Sequence, residues 1–209
     1  MIRRLIATVV AALVAATVYA GTAPAAHADY VGVRFEDGGG IICVSTLKID
    51  NKRVKRAVVE AAARWDAATK LRVVAKYNCV KAGYRYRVQV DDRRFGTTGW
   101  AGKTSYGTKS WSKVATGGGW TVNGWTYTVR TAKVMLNTSY LAGYTDHSIT
   151  HVAAHELGHA FGLDHVTHTC ESILAKRAGC SGYDYRAGTW WDRVGNDNHP
   201  GINRLYAKG

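Results

Sequence analysis

Residues 155–165 read His155-Glu156-Leu157-Gly158-His159-Ala160-Phe161-Gly162-Leu163-Asp164-His165. Residues four apart on an α-helix lie on one face, so His155 and His159 can direct two imidazoles at one point. Gly162 can adopt a positive φ and end the helix, which allows His165 to return as a third nitrogen ligand. Three protein ligands with one open position are typical of a catalytic zinc ion.

Glu156 follows the first histidine and projects from a neighbouring part of the helix surface. It can stand beside the metal without binding it, and we expect it to act as the general base. One catalytic Zn²⁺ is the predicted cofactor. The sequence does not show whether calcium also binds. A surface helix with scattered histidines is the alternative, but it does not account for Gly162 and His165 at their fixed offsets.

The full stretch resembles the metzincin zinc-endopeptidase signature, His-Glu-x-x-His-x-x-Gly-x-x-His. The resemblance implies an α+β, zincin-like catalytic domain: a first helix, a twisted mixed sheet, the active-site helix and a small C-terminal part beneath the cleft. It also implies a zinc metalloendopeptidase that hydrolyses protein or peptide substrates. Within the group, the chain resembles the small secreted bacterial proteases of the snapalysin and matrixin-like kind.

Two features depart from the family pattern. Metzincins place a methionine turn beneath the zinc ligands, whereas this chain has Ser172-Ile173-Leu174 at that place. Leucine and methionine are close in volume, so we expect Leu174 to be tolerated. Snapalysins use aspartate as the third ligand, and Asp164 lies beside His165. The spacing from His159 and Gly162 falls on His165, which we expect to be the ligand, with Asp164 supporting the turn or a ligand imidazole.

The N-terminus has the features of a secretory signal over residues 1–28. A basic start is followed by an apolar run and by Ala26-His27-Ala28, a small-x-small cleavage site. The run is shorter than the roughly 20 residues of a membrane span, so stable membrane insertion is not expected. The predicted mature chain, residues 29–209, is one extracellular metzincin-like protease domain, and we expect it to be a monomer.

The chain has a net charge of +13, and removing the signal's two arginines leaves +11. Its basic residues are spread along the chain, which favours a role in solubility, and no nucleic-acid partner is predicted.

Two other functions stay open: an inactive zinc-bearing module that binds an anionic envelope polymer, and a zinc amidase that acts on peptidoglycan peptides. The intact Glu156 favours an enzyme over the binding module.

An even number of cysteines in an exported chain indicates disulfides. The four cysteines allow three pairings, and we expect Cys43–Cys79 and Cys170–Cys180, which join sequence neighbours. In the alternative, a free Cys43 blocks the zinc ion as a latency switch.

Hydrophobic periodicity predicts the remaining elements. The glycine- and tryptophan-rich residues 95–128 are either a cleft wall with an edge strand that pairs with substrate or a hairpin whose tryptophans fill the core. His151 lies one turn before His155 and is expected to be a packed residue, not a ligand. The predicted elements are a strand at 41–46, a helix at 51–69, strands at 71–76, 84–90 and 131–137, the zinc helix at 148–161 and a short helix at 200–207.

Overall fold

The structure is a computed structural model that describes residues 33–36, 40–107, 110–113, 125–165, 173–174 and 206. The predicted signal, the Cys170–Cys180 pair and most of the predicted C-terminal helix lie outside these residues. Among the residues that are described, no helix has the length and apolar character needed to cross a membrane.

The described chain is a mixed α+β fold with a twisted mixed sheet, as the metzincin resemblance implied. The elements in chain order are β1 (Val33–Phe35), β2 (Ile41–Lys48), α1 (Lys52–Ala68), β3 (Arg72–Lys76), β4 (Tyr86–Arg93), β5 (Gly102–Tyr106), β6 (Ser110–Lys113), β7 (Trp125–Val129), β8 (Thr131–Asn137), α2 (Thr138–Leu141) and α3 (Asp146–Ala160).

The larger sheet has five strands in the order β3-β2-β4-β8-β5. Its first four strands run parallel, whereas β5 pairs antiparallel with β8 and forms an edge. A second sheet has the order β1-β7-β6. The glycine- and tryptophan-rich region therefore supplies an edge strand, β5, together with β6 and β7.

The first helix forms where its apolar spacing predicted it. Asn51 caps α1 by accepting hydrogen bonds from the backbone N–H groups of Arg53 and Val54. Trp65 is fully buried, donates its indole N–H to the Ala154 carbonyl at 2.9 Å, and packs edge-to-face on Phe161 at 5.5 Å between ring centroids. These contacts join α1 to the helix that carries the histidines.

Strand β4 ends at Arg93, beyond the predicted end at residue 90. Asp91 and Asp92, which were predicted to follow the strand, are buried within it. Asp92 accepts hydrogen bonds from the backbone N–H groups of Asp50 and Asn51, at 2.8 and 2.9 Å. Asp91 pairs with Arg93 at 3.1 Å and lies 3.5 Å from Lys133. Buried carboxylates are retained where they have such partners.

Cys43 and Cys79 form a disulfide that joins β2 to the segment after β3, with their Cα atoms 5.8 Å apart. Both cysteines are buried. Cys43 is therefore not a free thiol, and the alternative in which it blocks the zinc ion is wrong.

Candidate metal centre and active site

The helix that carries the histidines has well-defined ends. Thr145 caps its start by accepting a hydrogen bond from the Ser148 N–H. The first helical residue is Asp146, two residues before the predicted start. At the other end, Gly162 has φ +101°, the left-handed conformation expected for it. The N–H groups of Gly162 and Leu163 donate to the carbonyls of His159 and Gly158, at 2.8 and 3.1 Å. This is a complete Schellman motif, and it turns the chain back towards the helix.

That turn brings His155, His159 and His165 together. The Nε2 atom of His159 lies 3.0 Å from Nε2 of His155 and 3.3 Å from Nε2 of His165. One nitrogen from each ring lies within 4.8 Å of the other two, a grouping that could hold a metal ion. Within the described residues, His151 belongs to no such group; it is half-buried, and burial lowers its pKa to about 4.

The second nitrogens of two of these rings are tied to the backbone. Nδ1 of His155 lies 2.7 Å from the Ile173 carbonyl, and Nδ1 of His159 lies 2.8 Å from the Leu163 carbonyl. Nδ1 therefore carries the proton as donor, and the Nε2 lone pair faces the centre of the group, the arrangement common among metal-binding histidines. Burial also lowers the pKa of both imidazoles, which favours the neutral form that binds metal. These donors fit a zinc ion.

Asp164 lies at the edge of the group. Its Oδ1 atom accepts a hydrogen bond from the His165 backbone N–H at 2.7 Å and lies 3.6 Å from Nδ1 of His165. The carboxylate thus supports the turn that presents His165, while the imidazole joins the other two.

Glu156 is 6% exposed and lies beneath the edge strand β5. The Thr104 hydroxyl donates to its Oε2 at 2.6 Å and lies 3.0 Å from its carbonyl oxygen. Burial raises the pKa of the Glu156 carboxyl to about 7, against the lowering effect of the Thr104 hydrogen bond. One turn on, the Tyr106 hydroxyl donates to the His159 carbonyl.

The sequence interpretation did not identify Thr104 or Tyr106 as part of the site. Gly102, Thr104 and Tyr106 are two residues apart in a short strand, and this spacing predicts that they lie on the same face of the strand. The helix residues that this face contacts, Glu156 and His159, are 52 and 53 positions away in sequence.

Leu174 occupies a position against α3, as expected for the residue in place of the turn methionine. It is fully buried. A Cβ atom built on Gly158 would lie 2.9 Å from both Leu174 Cδ2 and Trp65 Cζ2. Gly158 lies in the helical turn between His155 and His159, so Leu174 packs directly against the turn that carries the first two histidines.

The C-terminal part contacts the same helix through Tyr206. This side chain is buried, donates its hydroxyl to the Phe161 carbonyl at 3.0 Å, and accepts a hydrogen bond from the Phe35 N–H at 3.1 Å. The predicted docking of the tail therefore occurs at Tyr206.

Comparison with known proteins agrees with this geometry. No protein of curated function matches the chain significantly. The family described as Metallo-peptidase family M12 matches residues 42–196, which include all three histidines and about three quarters of the sequence. The chain therefore belongs to metallo-peptidase family M12, a family of metzincin-type zinc metalloproteases that hydrolyse peptide bonds.

Proposed function

We propose that this protein is a secreted zinc endopeptidase in which His155, His159 and His165 bind one catalytic zinc ion. The observation that carries the proposal is the convergence of three Nε2 atoms while backbone carbonyls hold Nδ1 of the first two rings. A zinc ion bound there would act as a Lewis acid that activates water and polarises the scissile carbonyl.

Glu156 is the proposed general base. Glu156 follows the first histidine in sequence, and Thr104 holds its carboxylate against β5. In this position it would accept a proton from the attacking water and deliver that proton to the leaving amine. Glu156 would thereby serve both halves of the hydrolysis, first as base and then as acid.

The proposed substrate is an extended protein segment. Among the described strands, β5 pairs only with β8, and none of them pairs with its other edge. Peptides commonly bind such edges by adding a strand, because main-chain hydrogen bonds then position the peptide independently of its side chains. Thr104 and Tyr106 connect this strand to the helix that carries the histidines.

We further propose that the protein acts outside the cell as a monomer after removal of residues 1–28. The signal-like N-terminal sequence is the support for export. The Cys43–Cys79 disulfide suits an oxidising compartment.

The test is hydrolysis of casein by the purified mature protein, with zinc measured by atomic emission. We expect one zinc ion per chain, loss of hydrolysis with 1,10-phenanthroline, and recovery when zinc is restored. Full activity after complete removal of the metal would contradict the proposed chemistry. Zinc binding without cleavage of casein or of a peptide library would contradict the endopeptidase and favour the binding module or the peptidoglycan amidase.

A further inference from the structure

The edge strand β5 presents alternate residues to α3. Gly102, Thr104 and Tyr106 are two apart and so share one face of the strand. The hydroxyls of Thr104 and Tyr106 contact the backbone carbonyls of Glu156 and His159. The strand proposed to bind substrate is thus attached by its own side chains to the helical turn that carries the proposed base and the second histidine.

The Thr104 hydroxyl contacts one carboxyl oxygen and the main-chain carbonyl oxygen of Glu156, at different distances. It lies 2.6 Å from Oε2 and 3.0 Å from the main-chain carbonyl oxygen. A hydroxyl has one proton to donate, and the shorter contact to a carboxylate is the stronger one.

Gly102 provides the space in which the carboxyl group lies. A Cβ atom built on this residue would be 2.5 Å from Glu156 Cγ and 2.6 Å from Oε1. Any side chain at this position would therefore displace the carboxyl group from the strand. The absent Cβ of Gly102 and the hydroxyl of Thr104 together define a single position for Glu156.

We propose that Thr104 is a positioning residue for Glu156: its hydroxyl holds Oε2 at 2.6 Å and so fixes the orientation in which the carboxylate meets the attacking water. This inference rests on the proposed function, since orientation affects turnover only if Glu156 transfers the proton. Small displacements of a catalytic group can cost about 100-fold in rate, so the hydroxyl should matter for kcat.

The kinetic test compares three substitutions in the zinc-loaded mature protein. Thr104→Val removes the hydroxyl with little change of shape, and Thr104→Ser keeps it. Thr46→Val is the control, because Thr46 is also a strand threonine; it is buried, whereas Thr104 is half-buried, and its hydroxyl lies near the Lys76 carbonyl, away from the site. We expect Thr104→Val to lower kcat by about 10–100-fold with bound zinc and KM little changed, and Thr104→Ser to recover most of kcat. Equal kcat in Thr104→Val and wild type would overturn the proposal.

A second readout does not depend on activity or on metal. The sequence contains four glutamates, so carboxyl-¹³C glutamate labelling gives four side-chain signals, and Glu156→Gln identifies the relevant one. In the metal-free protein, Thr104→Val should shift the Glu156 signal, whereas Thr104→Ser and Thr46→Val should leave it close to its wild-type position. An unmoved signal in Thr104→Val would overturn the contact. Absence of hydrolysis in the wild type would overturn the proposed function alone, because the NMR comparison detects the contact independently of turnover.

Discussion

Gly158 and Leu174 are in such close contact that a single added methyl group would not fit between them. A Cβ atom on Gly158 would lie 2.9 Å from Leu174 Cδ2, and the indole of Trp65 closes the same space from the other side. Leu174, the residue in place of the turn methionine, is thus packed against the helical turn between His155 and His159.

Substituting Gly158 by alanine should destabilise the protein, although alanine favours helix by about 1 kcal/mol. Overpacking a buried contact costs about 1–3 kcal/mol, so we expect a net loss in the free energy of unfolding. Urea denaturation measures it. Gly143→Ala is the matched control, because a Cβ there has no neighbour within 4 Å. In the Leu174→Ala background, Gly158→Ala should lower the free energy of unfolding by less than it does in wild type, because the smaller side chain leaves room for the methyl group. If the two substitutions lower the free energy of unfolding additively, the contact is contradicted.

The third ligand can be identified by a pair of substitutions in adjacent residues. His165→Ala should abolish activity and weaken zinc binding, because it removes one of three converging nitrogens. Asp164→Ala should keep zinc bound and lose at most about 10–100-fold in activity, since its carboxylate supports the turn. Zinc titration with a competing chelator distinguishes the two. Loss of the metal in Asp164→Ala with retention in His165→Ala would show that the aspartate is the ligand.

Replacing Glu156 by glutamine should preserve the fold and bound zinc while reducing kcat by about 10²–10⁴-fold, because an amide cannot accept the proton. Steady-state kinetics and zinc analysis measure the two effects. Glu60→Gln is a suitable control, since Glu60 is an exposed residue of α1 that pairs with Arg64. Near-normal turnover in Glu156→Gln would exclude this residue as the base.

Tyr206→Phe should destabilise the protein out of proportion to the loss of one oxygen atom. The substitution leaves the buried Phe35 N–H without its acceptor and removes the donor to Phe161 at the end of α3. An unsatisfied buried polar group costs about 1–3 kcal/mol, which thermal or urea unfolding would detect. Tyr77→Phe, at a 62% exposed site, should change stability by less than about 0.5 kcal/mol. Equal effects of the two substitutions would argue against docking of the tail.

Replacing both Cys43 and Cys79 by alanine should lower the free energy of unfolding by about 4 kcal/mol, because the bridge closes a loop with a sequence separation of 36 residues. Zinc binding should persist under conditions where the variant remains folded. Non-reducing peptide mapping checks this bridge and the predicted Cys170–Cys180 bridge together. A wild-type protein with four reactive thiols after denaturation would refute both pairings.

The metal-binding group could be predicted because its geometry is local. One helical turn separates His155 from His159, and the positive φ of Gly162 returns the chain to His165. The sequence favours His165 over Asp164 as the third ligand, because that ligand lies six residues after the second histidine and three after the glycine in the metzincin pattern. The three histidines that could hold a metal ion therefore lie within eleven consecutive positions.

Other parts of the chain could not be interpreted so directly. Asp91 and Asp92 seemed to follow a strand, yet they lie inside β4 because partners elsewhere satisfy their charges. The glycine- and tryptophan-rich region was compatible with either a cleft wall or a core hairpin. Strand pairing assigned its first strand, β5, to the edge of the large sheet.

The sequence by itself determined the family, the main helices and strands, and the three histidines and glutamate of the proposed site, because helical periodicity and a glycine turn operate over a few residues. Tertiary packing determined how those residues are held. The groups that contact α3 and its end, from Thr104, Tyr106, Ile173 and Tyr206, are separated from their partners by 18 to 53 residues. Such contacts exist only once β5 pairs with β8 and the C-terminal part docks, and no local pattern of residues specifies that pairing.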